Sequence, residues 1–389
     1  EDAFRGCTGL TDVKLPKNLK TLGKDAFNGC TGLTSVLIPK TVENTHSYYD
    51  GIYSPFRGCN NLQEIKFVDG MTRIPNSILC FCGAKLNIVI PDSVTEIGEA
   101  AFLNSGIVAV TIPDTVTEIE EDAFRGCTGL TDIKLPESVV NIGTKIFANC
   151  TSLTDVTLPS TWESIPASTF AGCTALEKLV LPESVKNIRD GAFKNCTALK
   201  EIVWSKAPEL IDSNAFYNCD AITEMDIPAT VTSVGYQAFY DCDGLTKITI
   251  PDGVTSLGDS VFYDCDALTD VKLGAGITTI PASAFRHCDA LEQLTVPRRV
   301  TAIKDSAFKD SVKFSSITIP RSVTSISANA FSYLDKLTIY GVAGTYAETF
   351  ANTNSIKFVD RQVSATSASL DQTALTLNKG CLLYTSDAA

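Results

Sequence analysis

The sequence predicts one elongated solenoid of stacked 23-residue turns, and three observations carry that expectation. Phenylalanine recurs at Phe124, Phe147, Phe170, Phe193, Phe216, Phe239, Phe262, Phe285, Phe308 and Phe331, at nine equal intervals of 23 residues. Cysteine follows three residues behind at Cys127, Cys150, Cys173, Cys196, Cys219, Cys242, Cys265 and Cys288. Residues 1–12, EDAFRGCTGLTD, return letter for letter at 121–132. A chain of 389 residues would otherwise be divided into two or three globular domains. A fixed period sustained over most of the chain overrules that division.

The unit is read most clearly on 127–149. Ile133 and Leu135 face one way on a strand while Asp132 and Lys134 face the other. Pro136 ends that strand, because it has no N–H for a ladder. Val139 and Ile142 form a second apolar pair on a short extended segment. The stretch leading to Phe147 is a turn or a single helical turn. One such unit cannot bury an apolar face alone, but stacked units turn each row into a continuous ladder. Counting Phe4, Phe27, Phe56, the degenerate Leu79 and Phe102, fifteen turns run up to Phe331, with a weak sixteenth around Phe350. At about 4.8 Å per turn this makes a rod or arc on the order of 70 Å long.

The unit L-x-x-I-x-[IL]-P-x-x-V-x-x-I-x-x-x-A-F-x-x-C resembles the BspA-type leucine-rich repeat, over residues 1–358. The resemblance implies a leucine-rich solenoid with a parallel sheet along one face. It also implies a bacterial surface or secreted protein, since some members of that family adhere to host matrix proteins or to other microbes. It implies no shared ligand, because members differ at exposed positions.

The period breaks in few places. The interval from Phe27 to Phe56 is 29 residues, and the surplus lies in 46–55. A solenoid takes such an insertion as a loop, often on a binding face. Tyr48, Tyr49 and Tyr53 are therefore candidate contact residues, the alternative being that their rings fold back over the second strand row. One residue is missing between Phe102 and Phe124, which implies a tightened turn near 104–106. Toward the other end, 359–380 reads as a linker and the truncated start of a bacterial Ig-like domain. Residues 381–389 read as a non-native tail.

Composition excludes several functions. Asp and Glu number 45 against 32 Lys and Arg, for a net charge of −13. Such a surface repels nucleic acid and anionic lipid. No apolar run of about 18 residues is present to span a membrane. Fourteen cysteines are many, but a ladder spreads them along a line, whereas a metal site gathers its ligands at one point. Free, buried thiols are expected, with one of Cys80 and Cys82 facing solvent. The two histidines, His46 and His287, show no triad partner. Neither an enzyme nor a cofactor is expected. The acceptor sequences at Asn149 and Asn195 are by-products of the repeat.

Binding must then lie on outward rows. Val180 and Val203 are apolar neighbours on the sheet, and Trp204 beside them is expected to fill a buried slot. A sharper stripe is Tyr217, Tyr240 and Tyr263, which follow phenylalanine in three consecutive units. Asp243 and Asp266, with Asp220 and Asp289, run beside them, and Asp241 and Asp264 stand two residues earlier. Like charges so aligned repel. Rings beside acids suit cationic protein segments or sugars. Calcium remains open there, although it requires about six to eight oxygens at one point. The expected function is a non-enzymatic extracellular or cell-surface module that adheres to host matrix protein, cell-surface protein or glycan. The alternatives are a stalk displaying another domain, and a substrate-binding accessory module of a larger secreted enzyme.

Overall fold

The computed structural model describes residues 1–43 and 53–361. Each turn opens with a short strand that alternates outward and inward. Asp132–Lys134 exposes Asp132 and Lys134 and buries Ile133. It pairs in parallel with Asp155–Thr157, so that Asp132 faces Asp155, Ile133 faces Val156 and Lys134 faces Thr157. The sequence period is thus the sheet register: a residue lies beside the one 23 positions later. This first ladder runs the length of the chain in groups of three, two, two, two, three and four strands.

A second ladder follows the proline. Asn141–Ile142 pairs with Glu118–Ile119, and equivalent two-residue strands form groups of four, five and three. The two ladders break at different junctions. Where the first parts between Glu201–Val203 and Glu224–Asp226, the second still pairs Leu210 with Ser233. Each gap in one seam is therefore bridged by the other.

The third side has no strands, yet it too is a hydrogen-bonded ladder. Asp122, Phe124 and Gly126 donate their N–H groups to the carbonyls of Thr144, Ile146 and Ala148 in the next turn. Aligning the peptide groups this way requires two left-handed residues per turn. Asp122 and Gly126 have φ of 59° and 70°, Lys145 and Asn149 57° and 60°. The position just before cysteine therefore holds Gly126, Asn149, Gly172, Asn195, Asn218, Asp241, Asp264 and His287. Glycine, asparagine, aspartate and histidine are the types that tolerate φ > 0 best. The unrelated polar residues in this column share a backbone conformation, and that explains them better than exposure does.

Inside the ladders the phenylalanines form a stack. Successive rings from Phe102 to Phe331 are nearly parallel, as in Phe193–Phe216 at 5.3 Å and 10°. The cysteines line the same core. Cys150 Sγ donates to the carbonyl of Phe124 at 3.2 Å, and Cys173 Sγ to Phe147 at 3.1 Å. The thiol must keep its proton to do this, and burial pushes Cys127 and Cys196 up to about 12. Ser311 fills the slot by making the same bond, Oγ to Phe285 O at 2.6 Å. The described cysteines are free. Cys80 and Cys82 are both buried, against the expectation that one faces solvent. Cys80 stands in an outward column, but Ala100, Leu103 and Phe81 pack over it.

The array ends differently from a sixteenth turn. Phe350 lies in a helix, Tyr346–Thr353, and packs edge-on against Phe331 at 6.0 Å. Ala347, Phe350 and Ala351 are its buried residues. Strand Lys357–Asp360 then pairs with Thr338–Gly341.

Candidate binding surfaces

Part of the outer face of the first ladder pairs opposite charges. Lys178 reaches Glu201 in the next turn at 2.8 Å, and Lys247 reaches Glu224 at 3.5 Å. Such exposed pairs add little stability, and elsewhere on this face like charges meet, as where Asp132 lies beside Asp155. Val180 and Val203 lie side by side, as expected, with Val180 exposed and Val203 half-buried. Trp204 beside them is only half-buried, against the expectation that it fills a buried slot, and packs edge-on to Phe216 at 6.2 Å. Tyr48 and Tyr49 lie outside the described residues. Tyr53 is exposed, with the Lys24 ammonium 4.7 Å from its ring.

The tyrosine stripe is the most differentiated surface. Backbone bonds from Asn218 N–H to Tyr240 O and from Asp241 N–H to Tyr263 O, both 2.8 Å, fix these turns at ladder spacing. The side chains follow. Tyr217 and Tyr240 stack at 4.7 Å and 5°, Tyr240 and Tyr263 at 4.8 Å and 10°. Lys194 caps the outer face of Tyr217 at 4.5 Å, and Arg286 caps Tyr263 at 5.4 Å. Lys194 and Arg286 belong to the same column as the tyrosines, one unit before and one unit after. They were missed because the stripe was read by residue type instead of by column.

This closes the ring faces. A sugar that stacks on aromatics needs a free π-face, and here each is covered by a ring or a cation. What faces solvent is a row of ring edges and hydroxyls. Burial, with the neighbouring tyrosines and the Asp264 and Asp241 carboxylates, pushes the Tyr240 hydroxyl up to about 12. It therefore stays a hydrogen-bond donor. A fourth ring, Tyr236, is exposed and lies near enough to Tyr217 to act on its hydroxyl.

Two columns of aspartate flank the rings. Asp220, Asp243, Asp266 and Asp289 take the place that Thr128, Thr151, Thr174 and Thr197 hold in earlier turns. Asp241 and Asp264 sit in the left-handed slot, with φ of 58° and 62°. Partial burial, then repulsion between these carboxylates, raises Asp241 and Asp243 above the usual carboxylate range, and burial does the same to Asp266 with Asp289 adding to it. The sheet-face carboxylates Glu201 and Glu224 have lysine partners; these columns hold like charges side by side. His287 is edge-on to Tyr263, and its Nε2 lies 3.6 Å from Asp310. Among the described residues no three His, Cys, Asp or Glu side chains gather as metal ligands.

A stacked array with long outward rows is a leucine-rich solenoid, a fold consistent with a protein-binding surface module. The chain belongs to the BspA-type leucine-rich repeat family, whose model matches residues 1–108, 95–222 and 209–338. A leucine-rich repeat protein from Bacteroides ovatus is similar at 27% identity, over 87% of each chain, with a TM-score of 0.65. A leucine rich cell surface protein from Faecalibacterium prausnitzii is similar at 27% identity, over 85% of each chain, with a TM-score of 0.52. The pneumococcal vaccine antigen PcpA shares the fold at 20% identity, over 76% of this chain and 86% of its own, with a TM-score of 0.51. No curated protein matches the chain.

Proposed function

We propose that the protein is a cell-surface adhesion module that holds a host protein against the turn face around Tyr217, Tyr240 and Tyr263. One observation carries this reading. In consecutive turns two neighbouring columns change together, from alanine or lysine to tyrosine and from threonine to aspartate, while the core beneath stays constant. Core packing does not require that change, and aligned aspartates work against folding. The closed ring faces favour a protein partner over a stacked sugar. Uncompensated carboxylates beside hydroxyl donors favour a segment of that partner rich in lysine or arginine, which suits host matrix proteins with basic stretches. The cell-surface description of the Faecalibacterium relative supports display outside the cell.

The test is a binding screen of the folded protein against host matrix proteins and glycans, with Tyr217, Tyr240 and Tyr263 changed together to serine. Binding to a basic protein that weakens with salt and is lost in the triple variant supports the reading. Unchanged binding in the variant, or binding to neutral glycans alone, overturns it. A second reading, a spacer that displays another domain, is favoured by the lysine–glutamate pairing across the sheet face. It predicts no binding in that screen.

A further inference from the structure

The second ladder is closed, junction by junction, by a bond from the residue just after its buried apolar position. Gly143 N–H donates to Ile119 O at 2.8 Å, Arg189 N–H to Ile165 O at 3.1 Å, and Lys304 N–H to Ile280 O at 3.0 Å. The slot thus accepts glycine, arginine and lysine alike, provided the N–H is present. Pro166 and Pro281 stand in the same slot and have none. The ladder stops at both. One block ends at Asn141–Ile142 and the next begins at Ser164–Ile165; that block ends at Ser256–Leu257 and the last begins at Thr279–Ile280. Pro75 follows the strand that heads the first block, Arg73–Ile74.

The packing shows the same breaks. Ile142 and Leu257, at the block ends, are only half-buried, while Ile119, Ile165, Ile188 and Val234 are buried. At the first break an open groove lies between Val140, Ile142, Trp162 and Pro166. Across each break the first ladder remains paired, Asp132 with Asp155 and Lys247 with Asp270, and the third side stays bonded, Lys145 N–H to Ala167 O at 3.0 Å and Ser260 N–H to Ala282 O at 2.8 Å. Two seams hold and one is released, so each break opens one face of the solenoid without parting the turns.

We infer that the prolines leave the second seam unclosed at the Ile142/Pro166 and Leu257/Pro281 junctions, which makes that face the place of local opening in an otherwise closed array. Tyr217, Tyr240 and Tyr263 lie between the two open junctions, and their column passes to Arg286 across the second, where Asp264 N–H still donates to Arg286 O at 2.9 Å. The released seam is therefore on a different side from the tyrosine stack, which the third-side bonds hold at ladder spacing. The local opening follows from the ladder geometry and stands whether or not the stripe binds a partner.

Native-state hydrogen exchange, read by mass spectrometry on the whole chain, tests this. Amides at the two proline junctions are expected to exchange at least about fivefold faster than those at the closed Ile188/Asp212 junction, the factor set by one missing backbone bond. Pro281→Ser supplies the N–H, and serine already fills this slot at Ser327, which donates to Ile303 O at 2.9 Å. That variant should slow exchange at the second junction and leave the first unchanged, with Pro166→Ser doing the converse. Arg189→Pro, which removes the bond at a closed junction, should speed exchange there by a similar factor. Equal protection at proline and closed junctions overturns the inference. So does a proline variant that alters both junctions equally, because that reports global stability.

Discussion

Turns 127–195 and turns 196–289 share a backbone, a phenylalanine stack and a cysteine ladder, and they differ almost wholly outside. In the first region the column after phenylalanine reads Ala148, Ala171, Lys194; in the second it reads Tyr217, Tyr240, Tyr263, Arg286. The column after cysteine changes from threonine to aspartate just inside the second region, after Thr197, and reads Asp220, Asp243, Asp266 and Asp289. A repeat fixes where a side chain stands and which neighbours it meets. It leaves the outward identity free, so a surface can be rebuilt over several turns while the core stays unchanged.

The strongest test of that shared core is a pair of matched cavities. Phe170→Ala in the first region and Phe239→Ala in the second should each cost about 3–5 kcal/mol in chemical denaturation. Losses that differ by more than about half of that range would show two cores instead of one. A smaller effect separates the roles of the thiol. Cys219 Sγ donates to Phe193 O at 3.2 Å, so Cys219→Ser should retain more stability than Cys219→Ala, which loses about 1–2 kcal/mol. The reverse order would make the cysteine a packing group only.

Acid should favour the tyrosine region. Asp220, Asp241, Asp243 and Asp266 are held above their ordinary range in the folded chain. The native state therefore binds more protons than the unfolded one, and stability falls as pH rises from about 4 toward 7. The buried thiols act in the same direction at higher pH: with Cys127 held up to about 12, further stability is lost above about pH 8.5. Urea midpoints across this range check both, and changing Asp241, Asp243 and Asp266 together to asparagine should flatten the acidic limb alone. The single change Asp241→Asn should gain about 0.5 kcal/mol at pH 7 by removing one repulsive charge, since asparagine already holds that slot at Asn218. Least affected should be Lys178→Ala on the ion-paired sheet face, with a loss below about 0.5 kcal/mol in the same assay.

The period of 23 by itself determined the solenoid, the parallel register and the inward rows. Register and period are one quantity in a stacked array, and the apolar spacing around Pro136 already names the strand. The candidate stripe was legible for the same reason, as neighbours in the fold are residues one period apart. Other features needed the folded chain. Whether Tyr217, Tyr240 and Tyr263 offer their faces or their edges depends on 4.7–4.8 Å spacing and on the cations at either end. The burial of Cys80 depends on what covers it, and the left-handed column depends on peptide groups aligning between turns. Pro166 and Pro281 were visible as letters, but their consequence was not. Only pairing across turns shows that the N–H they lack is the one that closes the second seam.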